Sequence, residues 1–165
     1  MTGNLPSEFD GLKAKSNLRN AMESPAPQLF LAPMAGVTDL AYRILARECG
    51  ADLTVTEFTA ASGLTRKNTY SWLKVESDPR ESPFIPQIFG GITEEMVQTV
   101  EMLQDRADAV DINFGCPAPK VCRNDAGAAL LRDPDRVVSM VRACIAVADV
   151  PITVKMRLGT GTGPN

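Results

Sequence analysis

Five short apolar runs, each leading into a polar loop or a helix-start signal, set the narrowest limit on what this chain can fold into. They are Gln28 to Ala32, Asp52 to Phe58, Phe84 to Phe89, Ala109 to Asn113 and Pro151 to Arg157. Each has the length and content of a buried strand. Helical patterns lie between them. Thr38 or Asp39 can cap a helix whose apolar positions include Ala41, Ile44 and Leu45. Ala60 to Leu73 reads as helix plus irregular loop, and Ser77 to Ser82 as a charged turn. Thr93 stands where it can cap a helix with Glu94 and Glu95 in its first turn and Met96, Val100 and Leu103 as its apolar stripe. Asp133-Pro134 starts a last helix through Val147.

Strands joined by helical crossovers form a parallel sheet. Two α/β architectures satisfy this pattern: a doubly wound open sheet, or part of a TIM (β/α)8 barrel. A whole barrel takes roughly 250 residues. The 165 residues here would supply its N-terminal half, about five parallel strands with intervening helices. Residues 1–26 form a weakly patterned lead-in, where a helical turn at Asn17 to Met22 is stopped by Pro25 and Pro27. The partial barrel domain is expected over residues 27–165.

Composition removes several function classes. Hydrophobic content of 44% and charged content of 22% describe a soluble globular chain. No apolar run approaches the ~20 residues that span a bilayer. Met1 to Asn20 has no apolar signal-peptide core, so a cytoplasmic chain is expected. The four cysteines (49, 116, 122 and 144) lack CxxC spacing and there is no histidine, so no metal site is expected. Without histidine, Ser-His and Cys-His nucleophilic schemes are also excluded. Proton transfer falls to Cys, Asp, Glu, Lys, Tyr or water. A net charge of −3 gives the whole chain no strong pull on polyanions. Binding nucleic acid would need a local basic surface or one supplied by something else.

The chemistry concentrates at four strand ends. These are Pro33-Met-Ala-Gly-Val-Thr-Asp39, Gln87-Ile-Phe-Gly-Gly91, Asn113-Phe-Gly-Cys-Pro117 and Lys155-Met-Arg157. In a barrel they converge on one face. They offer close backbone approach at Ala35 and Gly36, an amide at Gln87, a thiol beside an amide at Cys116 and Asn113, and a cation pair at Lys155 and Arg157. Such a set suits a planar, hydrogen-bonding cofactor whose ring takes negative charge. Each piece also has a plain reading. Pro-Met-Ala-Gly is an ordinary strand-to-helix turn, and Gln87 can simply satisfy a strand end. Cys49 and Cys144 fall at helical positions and read as inert thiols. A Cys116–Cys122 disulfide is open on spacing, but reduced thiols fit an intracellular chain better.

Together these stretches resemble the tRNA-dihydrouridine synthases, flavin enzymes with a TIM barrel and a small C-terminal helical domain. The matching segments are Leu31 to Asp39, Pro86 to Gly90, Asp111-Ile-Asn-Phe-Gly-Cys-Pro-Ala-Pro-Lys120, Gly127 to Leu131 and Pro151 to Gly159. The resemblance implies FMN as cofactor, with NADPH as reductant. It implies that Pro33, Met34 and Ala35 line the isoalloxazine and that Gln87 and Lys155 bind the ring. It makes Cys116 the catalytic acid and puts Asn113 and Arg157 near the target base. The implied reaction is reduction of the uracil C5–C6 bond in tRNA, with Cys116 protonating C5. Asn124-Asp125 departs from the family pattern, which more often has glycine there, and the sequence after Gly159 drifts from it. The later strands, where the family binds the FMN phosphate, and the helical domain that grips tRNA are not in this sequence. Two further readings stay open: another FMN-barrel oxidoreductase such as a dihydroorotate dehydrogenase, or a truncated, non-catalytic barrel fragment. Self-association, or a second chain that completes the barrel, is expected of a half-barrel with an open edge.

Overall fold

A computed structural model describes residues 28–159. The lead-in and the Gly-Thr-rich end of the sequence lie outside the described residues. Strands and helices alternate in chain order. β1 (Phe30–Leu31) leads to α1 (Leu40–Glu48). β2 (Leu53–Val55) and β3 (Thr59–Ala60) precede two short helices, α2 (Ala61–Thr65) and α3 (Thr69–Lys74). β4 (Phe84–Ile85) and β5 (Gln87–Phe89) precede α4 (Thr93–Leu103). β6 (Val110–Phe114) is followed by the single-turn α5 (Pro119–Cys122), a 3₁₀ segment Gly127–Arg132, α6 (Pro134–Val147) and β7 (Ile152–Met156).

Two of the expected strands are interrupted. The run from residue 52 to 58 holds only β2, with β3 starting just beyond it at Thr59, and the run from 84 to 89 is split at Pro86, which has no N–H to give the ladder. Across the gap, the Gln87 N–H donates to the Thr56 hydroxyl at 3.0 Å instead of to a backbone carbonyl. A threonine side chain therefore replaces one rung of the sheet.

Every strand pair is parallel. β1 pairs β2, β2 pairs β4, β3 pairs β5, β5 pairs β6 and β6 pairs β7. Each strand region thus lies beside its sequence predecessor. A doubly wound sheet reverses its order at a switch point, whereas a barrel does not. The order decides for the partial barrel.

Local chemistry explains the helix starts. The Asp39 carboxylate accepts from the Tyr42 N–H, and Asp133 accepts from Arg136 N–H with Pro134 in the first turn. Thr93 is not a cap: Ile92 occupies that position without a side-chain bond, and Thr93 is the first helical residue. Glu94 and Glu95 still lie in the first turn, where the helix dipole favours them. The stretch from 60 to 73 becomes two helices because Lys67 takes a φ of 55° and Asn68 caps the second through Ser71 N–H.

Alternation along the strands sorts the core. Ile88, Val110, Ile112 and Phe114 face outward and pack with Met96, Val100 and Leu103 of α4 and Val137, Met140 and Cys144 of α6. Burying each such aliphatic side chain contributes roughly 1.5–3 kcal/mol. A small second cluster of Leu53, Ile85 and Ala109, with Val55 against it, lies apart from the first. At the two sides of the sheet, Leu29, Phe30, Val154, Met156 and Leu158 are exposed. Among the described residues no helix is long and apolar enough to cross a membrane.

One buried ion pair ties the first strand-to-helix turn to the rest. Arg43 and Glu81 are both enclosed and meet through two guanidinium nitrogens. Arg43 also donates to the carbonyls of Thr38 at 2.9 Å and Glu76 at 2.7 Å, and Thr54 donates to the Glu81 carboxylate at 3.0 Å. Removing one member strands the other charge in the interior, which costs about 3–5 kcal/mol. Arg43→Met should lose that amount in urea unfolding, and Arg43→Met with Glu81→Leu should recover most of it.

Candidate active site

The turn after β1 is locked from within. The Thr38 hydroxyl, fully buried, accepts from Met34 N–H at 3.0 Å, while the Met34 carbonyl accepts from the N–H groups of Val37 and Thr38. Gly36 takes a φ of +73°, and nothing stands within 4 Å of where a Cβ would be. Its N–H donates to the Glu57 carboxylate, which also pairs with Lys74 at 3.4 Å. Pro33 is half-buried, and Met34 and Ala35 are exposed. Close backbone approach from this side is open.

On the next strands, register brings four predicted residues and two unpredicted ones together. Gln87 lies opposite Asp111, Asp111 opposite Thr153, and Asn113 opposite Lys155. Thr153 Oγ1 and Gln87 Nε2 each donate to the Asp111 carboxylate at 2.6 Å. Asn113 Nδ2 donates to Gln87 Oε1 at 3.0 Å. Asn113 Oδ1 then accepts from the backbone N–H groups of Gly115 at 3.0 Å and Cys116 at 2.9 Å. Gln87 is 0% exposed, so it serves this row from beneath the surface. Burial pushes the Asp111 pKa above its ordinary value, and the bonds from Gln87 and Thr153 and the charge of Lys155 partly oppose that.

Cys116 is half-buried on the loop that this row holds. The other side of the loop is held too. Arg157 Nε donates to the Gly115 carbonyl at 2.7 Å, and Ala128 N–H to the Cys116 carbonyl at 2.9 Å. Gly127, at φ +59°, passes so close that a Cβ there would stand 2.7 Å from that carbonyl. The Cys122 thiol points to the same carbonyl at 3.5 Å, and all four cysteines are free. Cys144 is buried in the core, which pushes its pKa up to about 11. Lys155 and Arg157 are exposed and have no ion-pair partner among the described residues.

Two cavities flank the segment after Cys116. One, of about 670 Å³, is lined in part by Phe58, Tyr70, Phe89, Lys120 and Asn124. The other, of about 350 Å³, is lined in part by Pro117, Cys122, Arg132 and Arg157. No hydrogen bond among the described residues joins the 33–35 turn to Gln87 or Asn113. Among those residues no group of three acidic, histidine or cysteine side chains could hold a metal.

The family model for dihydrouridine synthase (Dus) matches residues 30–163, most of the chain. The chain belongs to this family. It is 40% identical over 133 residues to a probable tRNA-dihydrouridine synthase of Rhizobium leguminosarum bv. phaseoli, covering 80% of this chain and 42% of that protein. It is 39% identical over 138 residues to tRNA-dihydrouridine synthase B of Xanthomonas campestris pv. campestris, covering 81% and 41%. Against tRNA-dihydrouridine synthase B of Pseudomonas aeruginosa it is 40% identical over 136 residues, covering 80% and 40%. The chain therefore spans about two fifths of the length of these curated relatives.

Three participants escaped the sequence reading, Glu57, Asp111 and Thr153, while Thr38, read there as a cap candidate, instead locks the turn to Met34. For Asp111 a signal existed, because it stands two residues before Asn113 and so shares its face of the strand. Thr153 required the register. The Gly127 contact yields a test. Gly127→Ala places a Cβ against the Cys116 carbonyl at a positive φ, and should cost roughly 1–3 kcal/mol in urea unfolding.

Proposed function

We propose that this chain carries the first half of the active site of a tRNA-dihydrouridine synthase, an FMN-dependent oxidoreductase that uses NADPH to reduce the C5–C6 bond of uridine in tRNA. The observation that carries this reading is the Cys116 loop. A thiol sits on a strand-end loop fixed by Asn113 on one side and Arg157 on the other, in a chain of the dihydrouridine synthase family.

The donor set supports the ring end of a flavin. The 33–35 turn presents exposed backbone beside Gly36, where no side chain intrudes. Lys155 is an exposed cation opposite Asn113, suited to a ring that takes negative charge. Gln87, fully buried, would shape the floor under the ring. FMN, when bound, would supply the hydride that adds to one carbon of the base, with NADPH as the source of reducing power. Cys116 Sγ would hold the proton that C5 takes. Asn113 and Arg157 would orient the base, which must leave its stack to arrive. Lys120 beside the larger cavity has no ion-pair partner among the described residues, whereas Lys74 there is paired with Glu57, so this part of the site would offer tRNA little positive charge. A tRNA-acting enzyme of this kind would work in the cytoplasm.

A second reading has its own support. Phe30, Val154 and Met156 are exposed at the two sides of the sheet, and the chain spans about two fifths of its relatives. On this reading the chain is inactive alone and needs complementary strands, from a second copy or another chain, to close the barrel and hold the FMN phosphate. Visible absorbance of the purified chain with FMN separates the two. Bound flavin that is lost in Lys155→Ala supports a self-sufficient site; no bound flavin until complementary strands are added supports complementation. In the flavin-loaded protein, Cys116→Ala should keep the flavin spectrum and lower dihydrouridine formation in tRNA by about 10²–10⁴-fold. An unchanged rate would overturn the acid role.

A further inference from the structure

The row from Thr153 to the Cys116 loop has an internal logic of donors and acceptors. Its two ends admit no ambiguity. Backbone N–H groups at Gly115 and Cys116 can only donate, and both oxygens of the Asp111 carboxylate accept, from Gln87 and Thr153. Two amides lie between them, and each has one donating and one accepting end. Asn113 must turn its oxygen to the loop and its nitrogen to Gln87; Gln87 must turn its oxygen to Asn113 and its nitrogen to Asp111. The whole row is enclosed, with Gln87, Asp111 and Asn113 at 0%, 6% and 8% exposure. A buried amide without a partner for its N–H₂ is costly and mobile. Asp111 is the partner that prevents this, and Thr153 fixes the other oxygen of the same carboxylate at 2.6 Å.

We infer that Asp111 is a positioning residue: acting through Gln87 and Asn113, it holds the loop that presents Cys116. The inference rests on the proposed function only for the chemistry that Cys116 performs; the row itself stands on the geometry. What the row needs at position 111 is an accepting atom, not a charge. Asparagine can supply it, with its oxygen toward Gln87 and its nitrogen toward the Thr153 hydroxyl, which can accept. Leucine, of similar size, cannot. A role for Asp111 as a counter-charge to Lys155 makes the opposite demand, because both substitutions remove the charge.

The test is the alkylation rate of each cysteine of the full chain by iodoacetamide, read by mass spectrometry without flavin or tRNA. Buried Cys144 reports on the fold and exposed Cys49 on the reagent. The expected result is a Cys116 rate at least fivefold faster in Asp111→Leu and within twofold of wild type in Asp111→Asn, with Cys144 protected in both. A wild-type rate in Asp111→Leu, or equal acceleration in both variants, overturns the inference. If Asp111→Leu also unprotects Cys144, Gln87→Met decides by cutting the same row at its middle: faster Cys116 with Cys144 protected supports the inference, and an unchanged Cys116 overturns it. Because the assay contains no cofactor or substrate, its failure leaves dihydrouridine synthesis untouched. A failure to make dihydrouridine likewise leaves this result standing.

Discussion

The register of β6 between β5 and β7 governs the site. It sets Asp111 between Gln87 and Thr153 and puts Asn113 opposite Lys155. A slip of one residue would send these side chains outward and bring Ile112 and Phe114 inward, since neighbours on a strand face opposite ways. The apolar outer face prevents the slip. Val110, Ile112 and Phe114 are held by the helix residues around Met96, Val100 and Met140. Packing on one side of the sheet thus fixes the alignment of polar groups on the other.

Much of this architecture was legible in the sequence, and what was not shares a cause. The order of strands and helices followed from apolar runs and from Asp39 and Asp133, whose capping depends on a few neighbouring residues. Thr93 misled because the threonine before two glutamates has cap chemistry, yet the helix begins at that residue rather than after it. The breaks at Pro86 and around Thr56 depend on how two distant strands meet, which no local pattern records. The same holds within the site. Cys116, Asn113 and Gln87 stood out as reactive or amide groups at strand ends, but Asp111 read as part of a strand. Its partners, Gln87 and Thr153, are 24 and 42 residues away. Glu57, reaching back 21 residues to Gly36, was hidden for the same reason.

Two buried polar systems divide the work at the strand ends. Arg43 and Glu81 fasten the turn after β1 from outside the sheet, through the Thr38 carbonyl. Asp111, Gln87 and Asn113 fasten the Cys116 loop along the middle strands. One uses full charges and the other a single charge relayed through neutral amides. The two turns share no hydrogen bond among the described residues, so their relative placement depends on the strands that carry them.

The Thr56 hydroxyl, standing in for a backbone carbonyl beside Pro86, has a mechanical consequence. It divides the sheet into two storeys. The lower one, β1, β2 and β4, carries Leu53 and Ile85. The upper one, β3, β5, β6 and β7, carries the polar row and the thiol loop. That rung is tight: Thr56 is fully buried, its hydroxyl also donates to the Glu57 carbonyl at 2.9 Å, and its own N–H donates to the Ile85 carbonyl at 3.1 Å. One residue thus stitches the two storeys together through its backbone and its side chain at once.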